Sequence, residues 1–280
     1  MKNNSKDMAG HKSMDWYYQE RGPQIEHPIL FLHGFMGLSD DWQDVVDQLA
    51  SNYRCIMPDL PGHGRSGFPI RREMITIQSV AEGIIALFDK LGIDKATVVG
   101  YSMGGRVALY TALHFPQRVQ ALVLESTGPG LEDEYERRVR TALDDDRAYH
   151  LRVQGLDTFL DDWYKAPLFE SLNRHEDKLV RLKASRHIHN VEGLAAALQG
   201  LSTGRQPSLW DKLEQISVPT LLVCGALDHK FTRINRIMSE QIRLCEWKMI
   251  GDAGHNTHLE HPEAFTTTIL RFFGERLHKP

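Results

Sequence analysis

The stretch TVVGYSMGGRVALY, residues 97–110, limits the fold more than any other part of the chain. Thr97, Val98 and Val99 form a β-branched run that stops at Gly100, and from Met103 to His114 the residues favour a helix. Ser102 sits at the junction with Gly100 before it and Gly104 after it. A serine held this way between a strand and a helix fits a sharp turn whose strained backbone tolerates only small neighbours. Such a turn lifts the serine hydroxyl clear of the chain at the end of a sheet. It also places the Met103 amide, at the helix start, against the same point. Taken alone, Gly-x-Ser-x-Gly is also an ordinary loop; the flanking strand and helix make it a nucleophile elbow.

The rest of the chain supplies the sheet that this turn requires. Strands are expected in MDWYYQERG, HPILFLHGF, YRCIMPDL, KATVVG, VQALVLES, VPTLLVCGALD and CEWKMIGDAGH. Helices are expected in SDDWQDVVDQLA, capped by Ser39 or Asp40, in MITIQSVAEGIIALFDKLGI, stopped near Gly92, in TRINRIMSEQI and in HPEAFTTTILRFF. Short apolar strands alternating with helices imply a mostly parallel sheet covered on both faces. Between residues 127 and 206 the alternation stops, and charged helical segments take over. The fold class is therefore α/β: a core over residues 15–126 and 207–280, with residues 127–206 inserted as a helical cap above the carboxyl edge of the sheet. The polar residues 1–14 are expected to be poorly ordered.

The composition narrows the function. Of 280 residues, 25% are charged and the formal net charge is −4, so no basic footprint for nucleic acid is present. No run approaches the roughly 18 apolar residues of a membrane span. The start of the chain lacks the apolar stretch of a signal peptide, and no cysteine spacing suits zinc. Cys55 and Cys224 lie in apolar runs and read as small buried hydrophobes. A cytoplasmic protein acting on a small molecule is the expectation, with no metal; its oligomeric state is not legible.

A serine hydroxyl needs a histidine to accept its proton and a carboxylate to orient that histidine. After an elbow of this kind, the acid and then the histidine follow in chain order. Asp228, after TLLVCG, and His255, in GDAGH, both fall at strand carboxyl ends. Glu125 is the alternative acid, and His258 and His261 are the alternative histidines. An oxyanion hole needs two amides, which Met103 and Phe35, in LHGF, would supply. His63, in PGHGRS, reads as a loop-structuring residue. Arg106 shares a helix face with Ser102. A buried guanidinium needs an anion, either a protein carboxylate or one on a substrate. Further cations recur in the cap at Arg137, Arg140, Arg147, Lys183 and Arg186, most of them on a solvated face. Trp163 and Tyr164 suit either the cap core or a pocket wall.

These motifs resemble the α/β-hydrolase superfamily. More closely, GYSMGGRVAL, LESTGPGLEDEYERRVR, DWYKAPLF, STGRQPSLW and GHNTHLEHPEAF are similar to the 2-succinyl-6-hydroxy-2,4-cyclohexadiene-1-carboxylate synthases of menaquinone biosynthesis, over about residues 29–273. LHGF and DLPGHGRS are shared by many hydrolases. The resemblance implies a lyase that eliminates pyruvate from 2-succinyl-5-enolpyruvyl-6-hydroxy-3-cyclohexene-1-carboxylate, a polycarboxylate, without metal or cofactor. It implies Ser102, Asp228 and His255 as a triad with serine as the base, and Tyr101 beside the serine. Arg106 and Arg140 would hold carboxylates and Trp163 would line the pocket. A further cation falls at Arg186 or Lys183. Two other readings keep the same fold: a hydrolase of an acidic ester or ketone, marked by a product burst with p-nitrophenyl acetate, and a ligand sensor, marked by tight binding without turnover.

Overall fold

The computed structural model describes residues 16–25, 27–67 and 75–277. The expectation for residues 1–14, and the first residue of the helix expected from Met74, lie outside the described residues. Seven strands form one sheet: β1 (Tyr18–Arg21), β2 (Ile29–Leu32), β3 (Cys55–Pro58), β4 (Ala96–Tyr101), β5 (Val119–Glu125), β6 (Thr220–Gly225) and β7 (Cys245–Ile250). Their spatial order is β1-β3-β2-β4-β5-β6-β7. Only β1 runs antiparallel, against β3; all other neighbours are parallel.

The inner strands β2 to β6 are buried on both faces, which is why they read as nearly unbroken apolar runs, whereas the edge strands β1 and β7 are partly exposed. Alternate residues divide between two cores. Leu30, Leu32, Val98, Leu122, Leu124 and Leu222 face α2 (Ile77–Lys90), α3 (Met103–His114) and α8 (His229–Gln241). Phe31, Val99, Val123, Leu221 and Val223 face α1 (Gln43–Leu49) and α10 (Pro262–Arg276).

Between β5 and β6 lie α4 (Glu134–Gln154), α5 (Leu156–Tyr164), α6 (Glu176–Ser185) and α7 (Val191–Gly200). They bury a third cluster of their own around Leu151, Phe159, Leu160, Phe169, Leu194 and Leu198. Met36, from the loop after β2, packs into that cluster and joins it to the carboxyl edge of the sheet. None of the helices among the described residues is long and apolar enough to cross a membrane.

Helix α2 starts at Ile77 behind a Thr76 cap, later than the expected start, and two further helix starts differ from expectation. Neither Ser39 nor Asp40 caps the first helix: residues Ser39–Trp42 form a 3-10 turn in which Asp41 accepts the Leu38 N–H at 3.1 Å. Gln19 draws the other two side chains away. Helix α8 begins three residues before Thr232, because the Asp228 carboxylate accepts the Phe231 N–H at 3.2 Å and caps it.

Candidate active site

Ser102 occupies the turn between β4 and α3 with φ 50° and ψ −107°. A Cβ on Gly100 would stand 2.6 Å from the Gly104 carbonyl oxygen, and one on Gly104 would overlap the Leu32 carbonyl. The strained serine is pinned on both sides. Its N–H donates to the Glu125 carbonyl at 2.9 Å, and its own carbonyl accepts the Thr127 hydroxyl at 2.7 Å.

The order of the sheet then brings β6 and β7 to the same edge. His255 Nε2 lies 3.1 Å from Ser102 Oγ, and its Nδ1 lies 2.7 Å from Asp228 Oδ2. An ionised carboxylate only accepts, so the proton sits on Nδ1 and Nε2 is left to receive the serine proton. Asp228 is held by its capping bond, and both it and His255 are buried. The histidine loop is clamped by two further acids. Glu260 accepts the N–H groups of Gly254 and Asn256 at 2.8 and 3.2 Å. Glu125 accepts the Thr257 hydroxyl at 2.6 Å and the His258 N–H at 3.0 Å.

The alternative acid and histidine therefore serve each other. His258 Nδ1 pairs with Glu125 Oε2 at 2.8 Å, and its ring stacks on Trp42 with centroids 4.2 Å apart. His261 turns to the Asp252 carbonyl at 3.1 Å. Tyr101 lies between the two histidines, its ring centroid 5.2 Å from that of His255 and 4.8 Å from that of His258. Its hydroxyl donates to Asn256 Oδ1, and burial, reinforced by Glu125, raises its pKa and keeps it a donor.

Across from Met103, His33 shapes the loop that carries Phe35. The Leu60 N–H donates to His33 Nε2 at 2.8 Å, so Nδ1 carries the proton and donates to the Gly34 carbonyl at 2.7 Å. A turn closes with Gly37 N–H on the Gly34 carbonyl, and Met36 takes φ 66°. His63 packs edge-on against Phe35, and its Nδ1 lies 3.2 Å from the Pro61 carbonyl.

Ser102 and His255 open on a cavity of about 180 Å³, walled by Phe35, Met103, Trp163 and Leu201. Three cations line it: Arg106, Arg140 and Lys230. Arg106 donates to the Leu201 carbonyl at 2.8 Å and to Gln206 Oε1. Among the described residues no carboxylate comes within ion-pair distance of it, so the protein-carboxylate reading of Arg106 is set aside. Burial, and then the charge of Arg140, depress its pKa. Arg140 is differently placed, its Nε 2.8 Å from the buried Asp144, which Arg147 also approaches at 3.4 Å. Trp163 stands edge-on to Phe35, with the Arg147 guanidinium 5.6 Å over its ring.

The further cation expected at Arg186 or Lys183 is corrected, because neither lines the cavity. The Arg186 guanidinium is buried and grips both Asp41 oxygens at 2.8 and 2.7 Å, with the Tyr164 hydroxyl at 3.3 Å. Lys183 pairs with Asp161 at 2.6 Å. Sequence spacing placed Arg186 near the cap's end but could not show that Asp41, 145 positions earlier, would claim it. The residue that sequence reasoning missed is Lys230. Its signal was local: it follows Asp228 by two positions, on the first turn of α8. Among the described residues there is no cluster of three or more His, Cys, Asp or Glu suited to a metal.

The elbow, the acid after β6 and the histidine after β7 define a protein of the α/β-hydrolase fold. A family model described by that fold matches residues 27–262. A 2-succinyl-6-hydroxy-2,4-cyclohexadiene-1-carboxylate synthase from Serratia proteamaculans is 34% identical over 246 residues, covering 87% of this chain and 92% of its own. A Bacillus subtilis protein provisionally named for the same synthase is 37% identical over 254 residues, 90% of this chain and 92% of its own. The solved structure of MenH from S. aureus superposes with a TM-score of 0.87 at 34% identity, over 93% of this chain and 98% of that one. The chain belongs to the 2-succinyl-6-hydroxy-2,4-cyclohexadiene-1-carboxylate synthase family.

Proposed function

We propose that the chain eliminates pyruvate from 2-succinyl-5-enolpyruvyl-6-hydroxy-3-cyclohexene-1-carboxylate in menaquinone biosynthesis, with Ser102, His255 and Asp228 as its catalytic triad. The names of substrate and product define the bonds that change. The C2–H is lost, the 3-ene becomes a 2,4-diene, and C5 releases the enolpyruvyl oxygen. His255 Nε2 takes the Ser102 proton as Ser102 Oγ takes the proton from C2, so the net proton resides on the imidazole. Asp228, on Nδ1, stabilises that imidazolium. The carbonyl of the succinyl arm, next to C2, gains negative charge, which the Phe35 and Met103 amides would stabilise. Met103 opens α3, so its N–H has no partner within the helix. The enolate of pyruvate leaves C5 and is protonated in turn, which returns the imidazole to neutrality.

The observation that carries this reading is Arg106. A half-buried cation one helical turn from Ser102, with only neutral hydrogen-bond partners among the described residues, calls for an anionic substrate at the serine. Arg140 is a second anchor for a carboxylate, and Tyr101 and Trp163 set the walls. Fixed carboxylates would hold C2 within reach of the serine, where orientation supplies much of the rate. On this reading the chain works in the cytoplasm on a small polycarboxylate.

The test is an assay with the enzymatically made substrate, coupled to lactate dehydrogenase to report pyruvate, with spontaneous elimination subtracted. Wild-type protein should release pyruvate as the substrate absorbance falls. Ser102→Ala should lose on the order of a thousandfold in kcat, the scale of a removed general base. No acceleration by the wild type over background overturns the proposal and turns the search to hydrolysis of acidic ring-cleavage products.

A further inference from the structure

We propose that Lys230 is a substrate-binding residue that holds a carboxylate at the mouth of the site, at the far end of the ligand from Arg106. The proposal rests on the polycarboxylate reading above and deepens it.

The first argument is spatial. The chamber at Ser102 holds about 180 Å³. Ligand sites commonly run from about 300 Å³ upward, so a ring with two extended arms cannot be housed there alone. Two larger cavities adjoin it. One, of about 460 Å³, is lined by Asp228 and His255; the other, of about 560 Å³, is lined by Arg140, Arg147 and Trp163. Leu168 and Lys230 are common to all three. A ligand that fills the inner chamber and extends into either neighbouring cavity meets Lys230.

The second argument is charge. Arg140 is offset by Asp144, whereas neither Arg106 nor Lys230 has a carboxylate within ion-pair distance among the described residues. The Lys230 ammonium lies over the Phe231 ring, at 5.2 Å from its centroid. The residue as a whole is exposed, yet partial desolvation and then the nearby Arg140 lower the pKa of its ammonium, opposed by Asp228; an arriving anion offsets the Arg140 charge. The site thus keeps two unspent cations on different supports. Arg106 stands on the helix of the nucleophile, and Lys230 on the helix capped by the triad acid. A ligand with carboxylates at both ends is drawn across Ser102 and His255. An ammonium suits the mouth, where it holds charge without a fixed bidentate geometry.

The experiment compares wild type, Lys230→Met, which keeps an apolar stem without the charge, and Lys230→Arg. Steady-state kinetics with the enzymatically made substrate should show KM raised on the order of tenfold in Lys230→Met, with kcat within about threefold, the pattern of lost ground-state binding. Lys230→Arg should recover most of that loss. Unchanged KM in Lys230→Met, or a fall in kcat at constant KM, overturns the assignment. If the wild type does not turn the substrate over, the proposed function fails separately. Calorimetric titration with citrate, as a tricarboxylate probe, then decides Lys230: weaker binding to Lys230→Met than to wild type supports the site, and equal or absent binding overturns it.

Discussion

Glu125 and His258 form a buried pair at 2.8 Å that ties the strand beside Ser102 to the loop of His255. The backbone carbonyl of Glu125 accepts the Ser102 N–H, while its carboxylate holds Thr257 and His258, just beyond His255. One residue thereby fixes the separation of Ser102 and His255 without touching either side chain. Glu125→Gln keeps the size but gives up charge-assisted bonds. It should lower kcat by roughly tenfold to a hundredfold with KM within about twofold, since positioning of the reacting groups, not capture, is lost. Kinetics at matched fractions of folded protein check this. A change confined to KM would show that Glu125 shapes the binding surface instead.

Arg106→Ala should reduce kcat/KM by about tenfold to a hundredfold or more, mostly through KM. On the proposed reading the anionic end of the substrate loses its partner, and Gln206 and the Leu201 carbonyl lose their donor. Arg106→Lys should restore little, because one ammonium cannot replace a planar fork that serves two protein acceptors and a carboxylate. Full rescue by lysine, in the same pyruvate assay, would mean that charge alone suffices.

Arg186→Ala should leave the kinetics near wild type per folded molecule while destabilising the protein by roughly 3–5 kcal/mol. It strands the Asp41 carboxylate in the interior. Burial alone would raise the pKa of Asp41, but the Arg186 charge outweighs it and holds the carboxyl below its ordinary value. The double change Asp41→Leu with Arg186→Met removes both charges and should regain much of the loss. Urea midpoints of the three variants decide the matter. A raised KM at an unchanged midpoint would return Arg186 to the substrate.

Stability should fall as the medium is acidified from about pH 6.5 toward pH 4. His189 accepts the Gly64 N–H on Nδ1 at 2.9 Å and lies 3.0 Å from the Met36 carbonyl through Nε2, an arrangement that requires the neutral ring. Burial first, then the Arg186 charge, push its pKa down to about 4. The unfolded chain holds its proton up to about 6.5, so in that window it binds more protons than the native state, and folding weakens as pH falls. His189 alone would account for up to about 3 kcal/mol. Buried His33 and His63, also depressed, act in the same direction. Denaturation followed from pH 7.5 to pH 4.5 should show the decline, and His189→Asn should flatten it.

What the sequence determined by itself was everything that local chemistry dictates. The elbow was legible because a strained serine demands small residues at Gly100 and Gly104. The order of strands and helices was legible because a doubly covered sheet leaves apolar runs at regular intervals. Asp228 and His255 were legible as ends of such runs. Tertiary structure alone decided which partner each charged side chain found. Glu125 and His258 were the alternative acid and histidine in the sequence, and only the packing of α9 (Thr257–Glu260) against Glu125 paired them with each other. Arg186 went to Asp41 rather than to the cavity, and Lys230 came to the cavity from α8. A charge is satisfied by whatever lies within a few ångströms in space, and distance along the chain carries almost no information about that.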